Sequence, residues 1–351
     1  MGKLKITLND DFEQVLLLIQ EARGRVFSKA NAELVMLYFN VGKMVSQKVS
    51  QGIWGEFVVD ELAKYIQSNL PGLTGFNRRG LYRMKQFYET YSNPLIVSTV
   101  MTQMKIEKNE GEKFVTTALT QIQWSAHLHI LNKTKTVEEK LFYFQLSIKE
   151  KLSVRELERQ LNTAAYERTM LGNKTVQALP AQLQQNFFKD PYIFEFLDLP
   201  ETHSEKDLEK ALTQNLQKFI LEVGKGFTYM GNQYRLQVGN KDYYTDLLFY
   251  HRDLQCLVLF ELKIEDFAPE FLGKLNFYLE ALDRDVKRTN EKSSIGILLC
   301  KGKDTEVVEY AMARNTSPTV IADYETKLID KKLLANKLHQ LAEIFSKDID
   351  K

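Results

Sequence analysis

Two carboxylates and an amine, Asp246, Glu261 and Lys263, stand within two neighbouring apolar stretches of the sequence, residues 243–250 and 257–263. The polar residues between the stretches predict a hairpin turn. Side chains alternate along a strand, so Glu261 and Lys263 share one face. Because an unpaired charge in an apolar strand costs several kcal/mol, three charges in this setting indicate a chemical role.

Carboxylates held on separate rigid segments are the oxygen ligands that a hard divalent cation requires. We therefore expect Asp246 and Glu261 to bind Mg²⁺, with Mn²⁺ as a substitute and the backbone carbonyl of Leu262 as a candidate third ligand. Lys263 would orient or activate a water, or stabilise charge in the transition state. Together these roles predict metal-dependent hydrolysis of a phosphodiester. An ion-paired Glu-x-Lys at a strand end is the ordinary alternative for such a motif.

The elements that must position these residues follow from hydrophobic periodicity in the C-terminal part of the chain. A meander of strands, followed by strands that helices separate, predicts a mixed α/β domain with helices packed on one sheet. The predicted strands cover residues 227–238, 243–250, 255–263, 294–301 and 318–322, and the predicted helices cover 204–223, 268–284 and 304–314.

The N-terminal part carries apolar positions at helical spacing and predicts an all-α, helix-turn-helix-like domain. The predicted helices cover residues 10–22, 30–49, 55–69, 77–91, 118–131, 136–150 and 153–169, and a polar loop covers 100–117. The whole chain is thus predicted to be α+β with two domains, the helical domain over 1–170, a connecting segment over 171–203 and the mixed domain over 204–351.

Composition narrows the class of protein. The 351 residues are 44% hydrophobic and 26% charged, which is typical of a globular protein with room for two cores. No apolar run is long enough to span a bilayer and no secretory signal opens the chain, so we expect a cytoplasmic protein with no membrane partner. The net charge of +1 gives no global case for nucleic acid, and any phosphate-binding surface must be local.

The best local basic surface is the helix over residues 77–91. Its apolar side would anchor the helix while its basic side faces a DNA backbone or groove. Solvated charge is the ordinary alternative for such a side. The basic residues in question are Arg78, Arg79, Arg83 and Lys85.

The order of strands and helices around Asp246 and Glu261 resembles the core of the PD-(D/E)XK nuclease superfamily. More closely, the sequence is similar to the bacterial YhcG-like family, and the resemblance covers most of the chain. It implies a restriction-endonuclease-like fold for the C-terminal domain. The residues that carry it are 246–252, 260–263, 276–279 and 294–300, with Leu37-Tyr38, Val41-Gly42-Lys43, Trp54-Gly55, Pro71-Gly72, Gly75-Phe76 and Phe87-Tyr88 upstream.

The superfamily resemblance implies one more acid on the helix before the first strand. Glu209 is our choice, because it can lie on one stripe with Leu212 and Leu216, and Glu205 and Glu222 remain open. Related nucleases often carry a Gln and a Tyr on the helix that follows the Glu-x-Lys strand. Here Tyr278 fits, whereas Lys274 stands in place of the amide and would contact phosphate.

Gln233, Arg235 and Lys241 flank the predicted site and are candidates for holding phosphates. The leading hypothesis is therefore a metal-dependent nuclease that acts on nucleic acid, DNA in the first place. Its helical domain would recognise nucleic acid, bind a protein partner or form a homo-oligomer. The alternative is a non-catalytic nucleic-acid-binding or assembly protein that retains a nuclease fold.

Overall fold

The computed structural model describes residues 2–53, 55–103, 117–175, 188–200, 202–224 and 226–339. The chain divides into two compact units, Met1–Glu158 and Arg159–Lys351. In the described part of the chain, no helix is both long and apolar enough to cross a membrane.

The first unit is helical, as the sequence predicts. The two helices expected over residues 10–22 and 30–49 are one continuous helix, because the single Gly24 between them costs only about 1 kcal/mol relative to Ala. The loop expected over 100–117 lies mostly outside the described residues. The helices are α1 (Gly2–Ser50), α2 (Glu56–Asn69), α3 (Arg78–Tyr91), α4 (Pro94–Gln103), α5 (Trp124–Lys133) and α6 (Val137–Lys149), and α7 (Val154–Asn162) crosses the boundary.

Helices α1 and α3 form the centre of the first unit. Gly42 on α1 permits their close approach, since a Cβ there would lie 2.0 Å from the carbonyl oxygen of Met84 on α3. Asn77 caps α3 by accepting a hydrogen bond from the backbone N–H of Gly80. The face of α3 that packs inward is apolar and consists of Leu81, Met84, Phe87 and Tyr91. The opposite, basic side is therefore left toward solvent.

The second unit is a six-stranded mixed sheet with helices on both faces. Its helices are α8 (Ala165–Thr175), α9 (Glu205–Gln214), α10 (Leu216–Val223), α11 (Glu270–Ala281) and α12 (Thr305–Met312), with a π turn over Leu282–Val286. Its strands are β1 (Tyr192–Ile193), β2 (Phe227–Val238), β3 (Lys241–His251), β4 (Cys256–Leu262), β5 (Lys292–Cys300) and β6 (Thr319–Glu325). All five predicted strands and the predicted hairpin between β3 and β4 are present.

The strands lie in the order β1-β6-β5-β4-β3-β2. Strands β2, β3 and β4 form an antiparallel meander, and β4, β5, β6 and β1 run parallel. One face of the sheet packs on α9 and α10 around Phe219 and Phe260, and the other packs on α11 around Leu259 and Leu275. Strand β4 is thus buried on both sides, which places its one charged residue inside the domain.

Three predicted helices are interrupted. The helix expected over 118–131 contains a turn at 120–122, and α5 begins only at Trp124. The helix expected over 153–169 is interrupted at Ala164, whose φ of 52° is left-handed. Arg168 favours the break by donating from Nε to the carbonyl oxygen of Thr163 at 2.7 Å. The helix expected over 204–223 begins at Ser204 with a capping box and is interrupted at Asn215.

Candidate active site

The register of β3 and β4 brings the two carboxylates together. Leu247 pairs with Phe260, and continuing that register by one residue puts Asp246 opposite Glu261. Alternation points both toward the face on which α11 packs, the same face as Leu248 and Leu259. The backbone N–H of Leu262 donates to Oδ2 of Asp246 at 2.8 Å, which fixes the position of that carboxyl group.

Burial makes this carboxylate pair electrostatically unusual. Glu261 is only 1% exposed, and its Oε2 has no hydrogen-bond partner among the described residues. Burial, together with the negative charge of Glu261, raises the pKa of Asp246 to about 7. A carboxyl group with this pKa is partly protonated at neutral pH until a cation compensates the two charges.

Lys263 lies at the end of β4 beside the carboxylates. Its Nζ is 3.6 Å from Oε1 of Glu261 and donates to the carbonyl oxygen of Leu262 at 3.0 Å. The same ammonium donates to both oxygens of Glu205, at 3.0 and 3.1 Å. Lys263 also lies over the ring of Phe271 at 5.5 Å, and this contact helps to exclude water from one side of the amine.

Lys274 lies on α11, which packs on the face of the sheet toward which Asp246 and Glu261 point, and its side chain contacts the same site. Its Nζ donates to Oε1 of Glu261 and lies 5.3 Å from the ring centroid of Tyr278. Burial alone would lower the pKa of Lys274, but the hydrogen bond and charge of Glu261 outweigh it and leave that pKa raised. The pKa of the buried Tyr278 is raised too, first through burial. Asp246, Glu261, Lys263, Lys274 and Tyr278 therefore form one cluster.

The three candidate helix acids occupy three different environments. Glu205, in the first turn of α9, contacts Lys263. Glu209, one turn later, accepts from Asn232 Nδ2 at 2.7 Å and from Gln233 Nε2 at 2.5 Å. The third candidate, Glu222, belongs to a separate buried ion cluster.

Glu222 is fully buried among basic groups. It accepts from Arg159 Nη1 at 2.9 Å and from Arg168, and its Oε1 accepts the backbone N–H of Ile193 at 3.0 Å. Burial alone would raise its pKa, but Arg168, Lys189 and Arg159 lower it to about 2. These contacts account for Glu222 as a structural residue.

The flanking polar residues on β2 fall into two groups. Gln233 follows a bulge in β2 and has a left-handed φ of 46°, and its amide donates to Glu209 on α9. Arg235 instead donates to Asp242 at 2.9 Å on the exposed part of the β2–β3 hairpin. Lys241 begins β3 at the exposed end of the same hairpin. Of these three residues, Gln233 lies nearest to Asp246 in the register.

The four basic residues predicted for nucleic acid lie on α3 of the first unit. Arg78 pairs with Asp60 at 3.5 Å, and Lys85 pairs with Glu89 at 2.8 Å. Arg79 and Arg83 have no hydrogen bond or ion pair within the described residues. Both guanidinium groups can therefore engage an anion without first breaking an internal contact.

The chemistry of the donor set fits a divalent cation. The buried Oε2 of Glu261 has no hydrogen-bond partner in the described part of the chain, and Asp246 lies beside it. Among the described residues, no three Asp, Glu, His or Cys side chains cluster closely enough to hold a metal. Two carboxylates suffice for Mg²⁺, however, because this ion keeps several waters and takes further oxygens from substrate phosphate.

Two family models match most of the chain. The family model of the YhcG PDDEXK nuclease domain matches residues 185–339, and that of the DUF1016 N-terminal domain matches residues 14–168. The chain belongs to the YhcG-like family. A curated relative, "Putative nuclease YhcG" of Escherichia coli (strain K12), is 29% identical over 346 residues, which cover 92% of each chain.

Two solved structures are similar to part of this YhcG-like chain. One is a repair endonuclease from Pyrococcus abyssi, with 16% identity and a TM-score of 0.25 over 36% of this chain and 49% of that one. The other is EndoMS in its apo form, with 16% identity and a TM-score of 0.25 over 35% of this chain and 48% of that one.

Sequence reasoning missed two residues of the YhcG-like site. Asn232 and Gln233 each donate a hydrogen bond to the Glu209 carboxylate, and the ring of Phe271 packs against the Lys263 ammonium. A polar residue in a bulged strand and an apolar residue in the first turn of a helix carry no chemical signal of their own. Only the folded arrangement identifies them.

Proposed function

We propose that this chain is a Mg²⁺-dependent nuclease that hydrolyses phosphodiester bonds in DNA, with Mn²⁺ as a substitute metal. The observation that carries the proposal is the paired burial of Asp246 and Glu261 with one carboxylate oxygen unpartnered. Two adjacent carboxylates are costly in a protein interior unless a cation compensates them. Membership of a nuclease family supports the assignment of that cation to phosphodiester hydrolysis.

Asp246 and Glu261 would hold the metal, with the carbonyl oxygen of Leu262 as a further ligand. A divalent ion bound there would polarise the phosphoryl group of the substrate and lower the pKa of a water that it binds. The N–H of Leu262 keeps Asp246 in place, so the ligand is positioned before substrate arrives. Such preorganisation reduces the cost of assembling the site during the reaction.

Lys263 is proposed to hold the attacking water or the developing negative charge on phosphate. Its ammonium is anchored by Glu205 and by the Leu262 carbonyl, close to Glu261. Charge-assisted donors of this kind stabilise an anionic transition state most effectively where water is excluded. Glu209 remains our proposed helix acid, and Glu205 competes for that role because it contacts Lys263.

Phosphate contacts outside the metal site are assigned to Lys274, Tyr278, Gln233 and Arg235. In the helical unit, Arg78, Arg79, Arg83 and Lys85 are proposed to bind the DNA backbone. We expect most of the DNA-backbone binding to come from Arg79 and Arg83, because their guanidinium groups lack an internal partner among the described residues. Contacts of this type position a nucleic acid without reading its sequence.

The proposal is tested by a cleavage panel with the purified full chain. Labelled duplex, single-stranded, branched and RNA substrates are incubated with Mg²⁺, with Mn²⁺ or with a chelator. We expect metal-dependent cutting of DNA that Asp246→Asn and Lys263→Ala each reduce by about a hundredfold or more, the range for losing one transition-state contact. Lys292→Ala, which removes an exposed lysine at the start of β5, is the matched control and should cut normally.

The alternative function, a non-catalytic binding or assembly protein, makes the opposite forecast. Under it, no substrate is cut with either metal, although nucleic acid is still bound. Cutting of RNA but not DNA would retain the hydrolytic site and overturn the DNA assignment.

A further inference from the structure

A cleft of about 390 Å³ lies in the first unit, between α3 and α5. Its volume falls within the range of roughly 300–1,000 Å³ that small-molecule sites occupy. Helix α3 supplies most of its wall, and α5 supplies one amide from its last turn. The lining residues are Arg78, Arg79, Tyr82, Arg83, Gln86 and Asn132.

The charge of the cleft is positive. Of its three arginines, Arg78 pairs with Asp60 at 3.5 Å, which leaves Arg79 and Arg83 with no acidic partner among the described residues. No carboxylate lines the cleft. An anion is therefore the favoured occupant, and guanidinium groups match the geometry of phosphate oxygens.

The uncharged residues of the cleft indicate that its ligand has more than a phosphate group. Tyr82 is half-buried and packs against the core of the unit, and the exposed Arg78 guanidinium lies over its ring, 5.8 Å from the centroid. A base that stacks on this ring must take the place of the Arg78 side chain. Gln86 and Asn132 are exposed, and each presents an amide that can both donate and accept. Phosphate binding alone requires neither an aromatic face nor amides, whereas a nucleotide offers a partner to each.

A base inside a duplex cannot use this combination, because its faces are covered by its neighbours. An unpaired base exposes one face to an aromatic ring and its pairing edge to hydrogen-bonding side chains. We propose that the cleft binds one unpaired nucleotide of a DNA substrate: Arg79 and Arg83 hold its phosphates, Tyr82 stacks on the base, and Gln86 and Asn132 contact the base edge. The inference rests on the proposed function and specifies its substrate as DNA with a gap, flap or single-stranded end.

The test separates binding from cutting. The full chain carrying Asp246→Asn is titrated, in chelator, against a labelled duplex and against the same duplex with a short single-stranded gap, with fluorescence anisotropy as the readout. We expect tighter binding to the gapped DNA. Tyr82→Leu, which retains apolar packing, should reduce that preference by about 5- to 150-fold, the range of base–aromatic stacking.

Further variants assign the other roles. Gln86→Ala and Asn132→Ala change exposed side chains and should also reduce the preference without affecting the duplex. Arg79→Gln with Arg83→Gln should weaken both complexes and reduce the magnitude of the negative slope of log affinity against log salt by about 1.4 to 1.8, the value for two phosphate contacts. The matched control is Arg23→Gln with Arg25→Gln on α1, which removes the same charge from the same unit and should leave the slope unchanged.

Equal affinity for gapped and intact duplex would overturn the proposal. So would an unchanged preference in Tyr82→Leu, Gln86→Ala and Asn132→Ala alike. If Tyr82→Leu fails to fold by circular dichroism, the two amide variants decide the question. A gap preference in a protein that cuts nothing would sink the proposed function and leave the cleft assignment intact.

Discussion

Lys274 donates to one oxygen of Glu261, while the other oxygen of the same carboxylate is buried with no hydrogen-bond partner among the described residues. Glu261 is 1% exposed and the Lys274 side chain is 46% exposed. The lysine therefore neutralises the carboxylate from the solvent side, and a divalent cation would compete with it for the same charge.

Replacing Lys274 should strengthen metal binding. Lys274→Gln removes the competing ammonium and restores the amide that related nucleases often carry at this place. A half-exposed ion pair is worth about 0.5–1 kcal/mol, so the Mn²⁺ dissociation constant should fall roughly two- to fivefold. Titration calorimetry of the full chain with Mn²⁺ measures it. Lys274→Arg keeps the charge and should bind as the parent does, and weaker binding by the Gln variant would contradict the competition.

Metal binding should depend on pH through Asp246. A carboxylate must be ionised to bind a metal, and the pKa of Asp246 is raised to about 7 by burial and by Glu261. Below that pKa the ionised fraction falls about tenfold per pH unit, so affinity for Mn²⁺ should fall steeply from pH 7 to pH 5 and level off above about pH 8. An affinity that is flat between pH 5 and 7 would place the pKa of Asp246 near its ordinary value.

The metal-free protein should be stabilised by Asp246→Asn at alkaline pH. The folded state raises the pKa of Asp246 from 3.8 to about 7, so this group favours folding below about pH 4 and loses that contribution as pH rises through 7. An amide keeps the shape without the buried charge. Urea unfolding in chelator at pH 8 should show the variant more stable by about 1–4 kcal/mol, with the difference absent at pH 4. Destabilisation at pH 8 would contradict the assigned cause.

The charge of Glu222, unlike that of Asp246, should stabilise the folded protein at neutral pH. Its pKa is lowered to about 2, because burial, which alone would raise it, is outweighed by Arg168, Lys189 and Arg159. The contribution is therefore present above about pH 4.5 and is lost as pH falls toward 2. Glu222→Gln leaves Arg168 buried without a counter-ion and should cost about 3–5 kcal/mol at pH 7 in urea unfolding. The exposed pair Arg284 with Glu280 is the control, and Glu280→Gln should change stability by less than about 0.5 kcal/mol.

The carboxylate pair could be predicted from the sequence because strand alternation and register fix its geometry. A charge in β4, a strand buried on both faces, is visible as an exception to an apolar run. The break at Ala164 gives no such signal, since Ala favours helices and the hydrogen bond that favours the break, from Arg168 to the carbonyl oxygen of Thr163, is visible only in the folded chain. The sequence could not decide whether Glu205 or Glu209 is the helix acid, for a different reason. They are four residues apart, so helical periodicity puts both on one stripe.

Kinetics should separate Glu205 from Glu209. Glu205 holds the Lys263 ammonium at 3.0 Å, so Glu205→Ala should lower kcat about tenfold or more with little change in KM. Glu209 instead holds the amides of Asn232 and Gln233. If its role is to position phosphate-binding groups, Glu209→Ala should mainly raise KM.

A double-mutant cycle on stability makes the same distinction without turnover. Glu205 and Lys263 should show a coupling of about 0.5–1 kcal/mol, the range for a partly exposed pair, whereas Glu209 and Lys263, which share no contact, should be additive. Should Glu209→Ala instead abolish kcat at unchanged KM while Glu205→Ala cuts normally, then Glu209 is the helix acid of the reaction. The Glu205–Lys263 contact would in that case be an ordinary ion pair at the end of a strand.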